Sequence, residues 1–176
     1  GPMVLNGGSF TLNTADDAVH SNHDLTVTGG DFTIATGDDG FHADKALTVQ
    51  NGTIQISESY EGLEGLSITV NGGSFTLDNV GTGSNGSPWI FNAKGQNTAS
   101  VIVNGGTFNA DINRQHWSNE AVVAKECYVV EANGTWTVMP GAVAYVHTGM
   151  LTGPYFVRKN IGYATFEEAF EAAKSA

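Results

Sequence analysis

Two stretches of the 176-residue chain carry paired acids at the same point of successive repeats: "TADDAVHSNHDLTV" at 14–27 and "TGDDGFHADKALTV" at 36–49. Aligned, they set Asp16 over Asp38 and Asp17 over Asp39. The second column continues as Glu61, and Asp44 follows a few residues further along. If such repeats stack about 4.8 Å apart, neighbouring carboxylates repel by roughly 1 kcal/mol in water and by about 3 to 4 at an effective dielectric near 20. Protonating alternate groups relieves this, as does a cation between coils, and an exposed aspartate at neutral pH takes the second course. A cation midway lies about 2.4 Å from each oxygen, inside the calcium–oxygen range of about 2.3 to 2.6 Å, and turn carbonyls beside Gly37 and Gly40 would raise the ligand count. Magnesium prefers shorter bonds and a stricter octahedron, and the single cysteine offers no thiolate zinc site, so calcium leads among metals. Structural calcium, calcium that also touches a ligand, and solvated acidic turns without metal are all open on this pattern alone.

His20 and His42 share a column that continues as Glu64, beside an apolar column of Val19, Phe41 and Leu63. Alternation turns the histidines outward. A stacked imidazole pair can hold a transition metal, but a structural ladder ending in a histidine–glutamate hydrogen bond is the preferred reading. Two aromatic residues complete the ligand-binding candidates. Tyr60 follows the third coil's strand, and Trp89 lies in "GTGSNGSPWIFNAKG", read as a protruding loop that either meets a ligand or packs back over the coil.

The elements that must position these residues are legible as columns. Phe10, Phe32, Ile54 and Phe75 are separated by 22, 22 and 21 positions. Gly8, Gly30, Gly52 and Gly73 follow the same spacing, as do Leu12, Ile34, Ile56 and Leu77 and, one face over, Val27, Val49 and Val70. The runs alternate, are β-branched and end at glycine pairs, so they are strands rather than helices. Two or three short strands in a 22-residue repeat make one turn of a parallel β-solenoid with the Phe and Val columns inside. A fifth coil, "VIVNGGTFNAD", follows after 33 positions, which places about eleven inserted residues before it. The expected fold class is therefore all-β, with solenoid coils over 4–111. A hairpin region at 112–140 turns at Asn133-Gly134. A capping or module-boundary segment at 141–176 ends in a helix with a Thr165/Glu168 capping box, whose Phe166, Ala169, Phe170 and Ala173 face should cover apolar surface. Trp117 and Trp136 are expected to pack rather than stack on sugar.

Eighteen acids against seven bases, net −11, argue against nucleic acid and anionic membranes and towards cations or neutral ligands. No apolar run approaches the length of a membrane span, so no membrane insertion is expected. The opening Gly1-Pro2-Met3 reads as a cloning scar, so a piece of a larger protein is expected. The lone Cys127 is expected to be a buried small hydrophobe.

At "GGDFTIATGDDGFHAD" (Gly29 to Asp44) and "SYEGLEG" (Ser59 to Gly65) the sequence resembles the calcium-associated β-helical carbohydrate-binding domains of cellulolytic clostridia and related gut bacteria, over roughly residues 4 to 80. The resemblance implies a right-handed parallel β-helix, similar in shape to pectate lyases, that binds calcium and plant cell-wall polysaccharides such as pectin or cellulose without demonstrated cleavage. It also implies a bacterial secreted or cell-surface location. By position it carries over Asp38, Asp39, Asp44, Glu61 and Glu64 as metal ligands, with Asp16 and Asp17 from the preceding copy. That copy departs from the motif in reading "ADDA", and the Trp89 insertion stands where another acidic coil is usual.

The function expected is a non-catalytic glycan-binding module. A calcium-dependent polysaccharide lyase is an alternative that needs a base, and only Lys45, beside Asp44, lies close in sequence, since Arg114 and Arg158 fall outside the repeats. A spacer or adhesin that meets a protein partner through the Thr26, Thr48, Thr69 strip is another.

Overall fold

The computed structural model describes residues 1–82, 88–94, 101–112, 122–152 and 155–175. Each coil lays down three short parallel strands. The first ladder begins β1 (Met3–Thr14) and β3 (Leu25–Thr36), then takes the second half of β4 (Phe41–Val49), the second half of β6 (Leu63–Val70) and β9 (Val101–Val103). It stacks Leu5, Val27, Val49, Val70 and Val103 in register. The second ladder continues β1 and β3 into β5 (Thr53–Ser59), β7 (Ser74–Val80) and β10 (Gly106–Phe108), stacking Phe10, Phe32, Ile54, Phe75 and Phe108. The third joins β2 (Val19–Ser21), the starts of β4 and β6, and β8 (Phe91–Ala93). The fold is thus the expected β-solenoid.

Alternation decides which side chains enter. Val27, Phe41, Ile54, Leu63 and Val70 are fully buried, and the residues that alternate with them on β4 and β6 are less so, with buried Glu64 the exception. Aromatic stacking reinforces the pitch: Phe10 lies 4.8 Å from Phe32 and Phe75 4.8 Å from Phe108, both pairs nearly parallel. The corner before the second ladder needs glycine, because Gly30 has φ 120° and a Cβ there would come within 3.0 Å of the Gly8 carbonyl oxygen.

The inserted residues are not one protruding loop. Leu63 pairs with Phe91, 28 positions on, and Ile68 with Val101, 33 on. The extra residues are therefore split before and after β8, and "FNA" forms a proper rung because Phe91 repeats the inward apolar position of Phe41 and Leu63.

Beyond the last parallel strand the chain reverses. Strand β12 (Thr135–Pro140) pairs antiparallel with β10, and β11 (Cys127–Ala132) with β12, so this hairpin covers the end of the second ladder. Its turn residues Asn133 and Gly134 have φ of 53° and 74°, as a tight hairpin requires. A second hairpin, β13 (Ala144–Thr152) with β14 (Tyr155–Tyr163), follows within the segment expected to be a boundary. Helix α1 (Phe166–Lys174) starts at the Thr165/Glu168 capping box and lies against that hairpin. Its expected inward face is corrected: Ala169 is buried, but Phe166 and Phe170 are 75% and 63% exposed. Cys127 is buried, and Trp136 on β12 is half-buried opposite Phe108. Trp117 lies outside the described residues.

Candidate functional site

The paired acids occupy the turns that lead from the second ladder into the third. These turns stack as closely as the strands because glycine permits it: a Cβ on Gly37 would sit 2.5 Å from the Ala15 carbonyl oxygen, and one on Gly40 2.5 Å from Ile56 Cδ1 and 2.7 Å from the Gly62 carbonyl oxygen. The Thr36 hydroxyl, itself buried, receives hydrogen bonds from Thr14 Oγ1 and the Asp38 amide and donates to the Asp16 carbonyl. One coil's turn is thereby fastened to the next. Backbone bonds finish the stacking, with Ala18 N donating to Asp39 O, Tyr60 N to Asp38 O and Gly40 N to Glu61 O. Among the turn carbonyls beside Gly37 and Gly40, those of Asp38 and Asp39 are therefore each already engaged once.

The structure brings nine of the sequence candidates into one cleft of about 480 Å³. Asp16, Asp17, Asp38, Asp39, Glu61 and Glu64 line it with His20, His42 and Tyr60. Three of the carboxylates are buried rather than exposed as turn acids, Asp39 and Glu64 at 2% exposure and Glu61 at 5%, whereas Asp16 is exposed. Ligand atoms of Asp38, Asp39 and Glu61 lie within 4.8 Å of one another, as do those of Asp16, Asp17 and Asp38. Asp39 Oδ1 is buried without a hydrogen-bond partner. Burial, then a hydrogen bond with Glu61, then the charges of Glu64, Glu61 and Asp38 push the Asp39 carboxyl up to about 10. Burial likewise raises Glu61, partly offset by the Asp39 hydrogen bond. Asp38 is raised by burial and by the charges of Asp17, Asp16 and Glu64. Without a cation, Asp39 and Glu61 must share a proton.

The histidine column is a stack in register. The His20 and His42 rings lie 4.5 Å apart and nearly parallel, and the column runs on through Glu64 to Asn92. Both Nδ1 atoms approach the same Asp17 Oδ2, at 2.9 and 3.0 Å, and His42 Nδ1 also lies 3.3 Å from Glu64 Oε1. Asp44 stands apart from the other six acids. It faces the opposite edges of the rings, 3.6 Å from His20 Nε2 and 3.5 Å from His42 Nε2, and does not line the cleft.

Tyr60 is 51% exposed at the cleft, braced edge-on by Trp89 at 4.9 Å between ring centroids. Trp89 itself packs against the core and does not line the cleft, so it acts through Tyr60. Lys45, the base considered for a lyase, does not line it either.

Two lining residues, Asn92 and Lys94, were not foreseen. Asn92 Nδ2 donates to Glu64 Oε2 at 2.6 Å and to Glu61 Oε1 at 3.1 Å, and the Lys94 ammonium pairs with Glu64 Oε1. The signal was present, since Phe91-Asn92-Ala93 repeats Phe41-His42-Ala43, but the irregular spacing hid it.

A family model described as "Carbohydrate-binding domain-containing protein" matches residues 1–40. The matched stretch contains the first two acidic turns, Asp16, Asp17, Asp38 and Asp39, and supports a glycan-binding role for the solenoid. No curated protein and no solved structure matches the chain.

Proposed function

We propose that the chain is a non-catalytic module that binds a plant cell-wall or similar polysaccharide at the acidic cleft, with calcium held by the stacked carboxylates. The observation that carries the cation is Asp39 Oδ1, a buried oxygen with no hydrogen-bond partner beside Asp38 and Glu61. An all-oxygen donor set of this kind suits a hard ion, and the spacing suits calcium better than magnesium. Asp38, Asp39 and Glu61 would hold it, with Asp16 and Asp17 completing the next interval of the ladder.

The cation neutralises carboxylates that otherwise repel or protonate, and so stiffens the turns that shape the cleft. The chain's own groups do the rest. Tyr60 presents a braced aromatic face against which a sugar ring can stack. Both Nδ2 hydrogens of Asn92 are taken by Glu64 and Glu61, which leaves its Oδ1 to accept from sugar hydroxyls, and bound calcium would meet the carboxylates of an acidic glycan such as polygalacturonate. Lys94, the lysine that lines the cleft among the described residues, is paired with Glu64, which disfavours it as the base a lyase would need. A secreted or surface location, where calcium is abundant, suits this reading.

Isothermal titration of polygalacturonate and of cello-oligosaccharides, with calcium and with chelator, tests this reading. Binding that needs calcium and weakens about tenfold or more in Tyr60→Ala is expected. Silence towards every glycan in both conditions would sink it.

A further inference from the structure

The third ladder adds a second column of charge two residues beyond the histidine column. Asp44 follows His42 and faces the imidazoles, whereas Lys94 follows Asn92 and reaches back one coil to Glu64. Asp44 lies outside the cleft, so of these two Lys94 is the one that brings counter-charge into it, at Glu64, whose ligand atoms lie within 4.8 Å of those of Asp39 and His42. At the Glu64 end Oε2 accepts from Asn92, and Oε1, which makes no hydrogen bond, is ion-paired with Lys94 and lies 3.3 Å from His42 Nδ1. At the other end Asp39 Oδ1 is buried and has no partner.

We propose that Lys94 is a tethered cation that fills the Glu64 end of the cleft and confines a divalent ion to the Asp38, Asp39 and Glu61 end, setting both how many ions the ladder takes and how tightly. The inference rests on the carboxylate–cation reading above. An ammonium on the chain's own stem reaches Glu64 without the entropic cost of capturing a free ion, so an incoming ion must displace it to use Glu64. An ion at Asp39 also feels Lys94 directly. With water-like screening, a unit charge and a divalent ion in the same small cleft repel by an amount on the order of tenfold in affinity.

The test titrates calcium alone into the full chain by calorimetry and counts sites by terbium luminescence, comparing wild type with Lys94→Met, which keeps the apolar stem, and Lys94→Arg, which keeps the charge. Circular dichroism confirms folding, and Lys94→Gln replaces the methionine variant if that one fails to fold. Lys94→Met is expected to bind calcium about tenfold more tightly or to take an additional ion, while Lys94→Arg behaves as wild type. Ion binding by Lys94→Met alone, with none by wild type, also supports the proposal. Equal affinity and equal stoichiometry in wild type and Lys94→Met overturn it and leave the calcium reading standing. No binding by any variant at millimolar calcium overturns both.

Discussion

Asp39 concentrates the site's electrostatics in one side chain. Its carboxyl is raised to about 10 by burial, by the Glu61 hydrogen bond and by neighbouring charges, from an ordinary value of 3.8. A raised acid binds its proton more tightly folded than unfolded, so it favours folding most below the unfolded value. That advantage is lost progressively as pH rises from about 4 towards about 10. Glu61 shifts in the same direction and adds to the effect. Thermal melts in chelator should therefore show stability falling between mildly acidic and alkaline pH, and saturating calcium should flatten the slope by replacing the shared proton. Asp39→Asn separates the two roles. It keeps the shape and removes the charge, so it should raise metal-free stability at neutral pH by about 1 to 3 kcal/mol while weakening calcium binding at least tenfold. A destabilised Asp39→Asn with unchanged calcium affinity would show that the carboxylate is merely structural.

The stacked turns connect that residue to the coils, and Gly40 is where the connection is tightest. A methyl there would meet Ile56 Cδ1 and the Gly62 carbonyl, and the carbonyl cannot move without breaking the inter-coil bonds around Glu61. Gly40→Ala should cost about 2 to 4 kcal/mol in denaturant unfolding and reduce calcium affinity, whereas Gly134→Asn, at a hairpin turn whose φ asparagine tolerates, should change neither by much. The coils were legible in the sequence because an inward column repeats at fixed spacing, as Phe10, Phe32, Ile54 and Phe75 do. Strand alternation also gave the correct sides for Val19, Phe41 and Leu63. It says nothing about turns, and this is why the burial of Asp39 and Glu61 is not legible: it comes with the stacking of neighbouring turns, in which Asp39 N donates to Asp17 Oδ1, Gly40 N to Glu61 O and Asn92 Nδ2 to Glu61 Oε1. Strand β8 was hidden because extra residues on both sides broke the count. Between β13 and β14 the sequence offers Gly153-Pro154, a turn dipeptide that is a weaker hairpin signal than Asn133-Gly134. The helix's apolar spacing was right as periodicity and wrong as burial, since amphipathic spacing identifies a face without supplying the surface to cover it.

At the scale of the whole molecule the two ends of the solenoid are unlike. In a stack where each coil touches only its neighbours, stability is a sum of coil terms and interface terms, and opening starts where an interface is missing. The C-terminal end of the second ladder is closed by β12 pairing antiparallel on β10. In contrast, β1 pairs with β3 on one side, and its inward residues Met3, Leu5, Phe10 and Leu12 are partly buried, where their counterparts Val27, Phe32 and Ile34 are fully so. Native-state hydrogen exchange should therefore give the lowest opening energies in β1 and the highest in β5, which has β3 and β7 on either side. Calcium sharpens the expectation. An ion held by Asp38, Asp39 and Glu61 ties the second coil to the third, so loading should slow exchange in β4 and β5 while leaving the first ladder of β1 almost unchanged. The gradient tests the solenoid, and the local protection tests where the ion sits. Uniform exchange along the chain would contradict the coil-by-coil picture, and protection confined to the His20–His42 stack would move the ion away from Asp39.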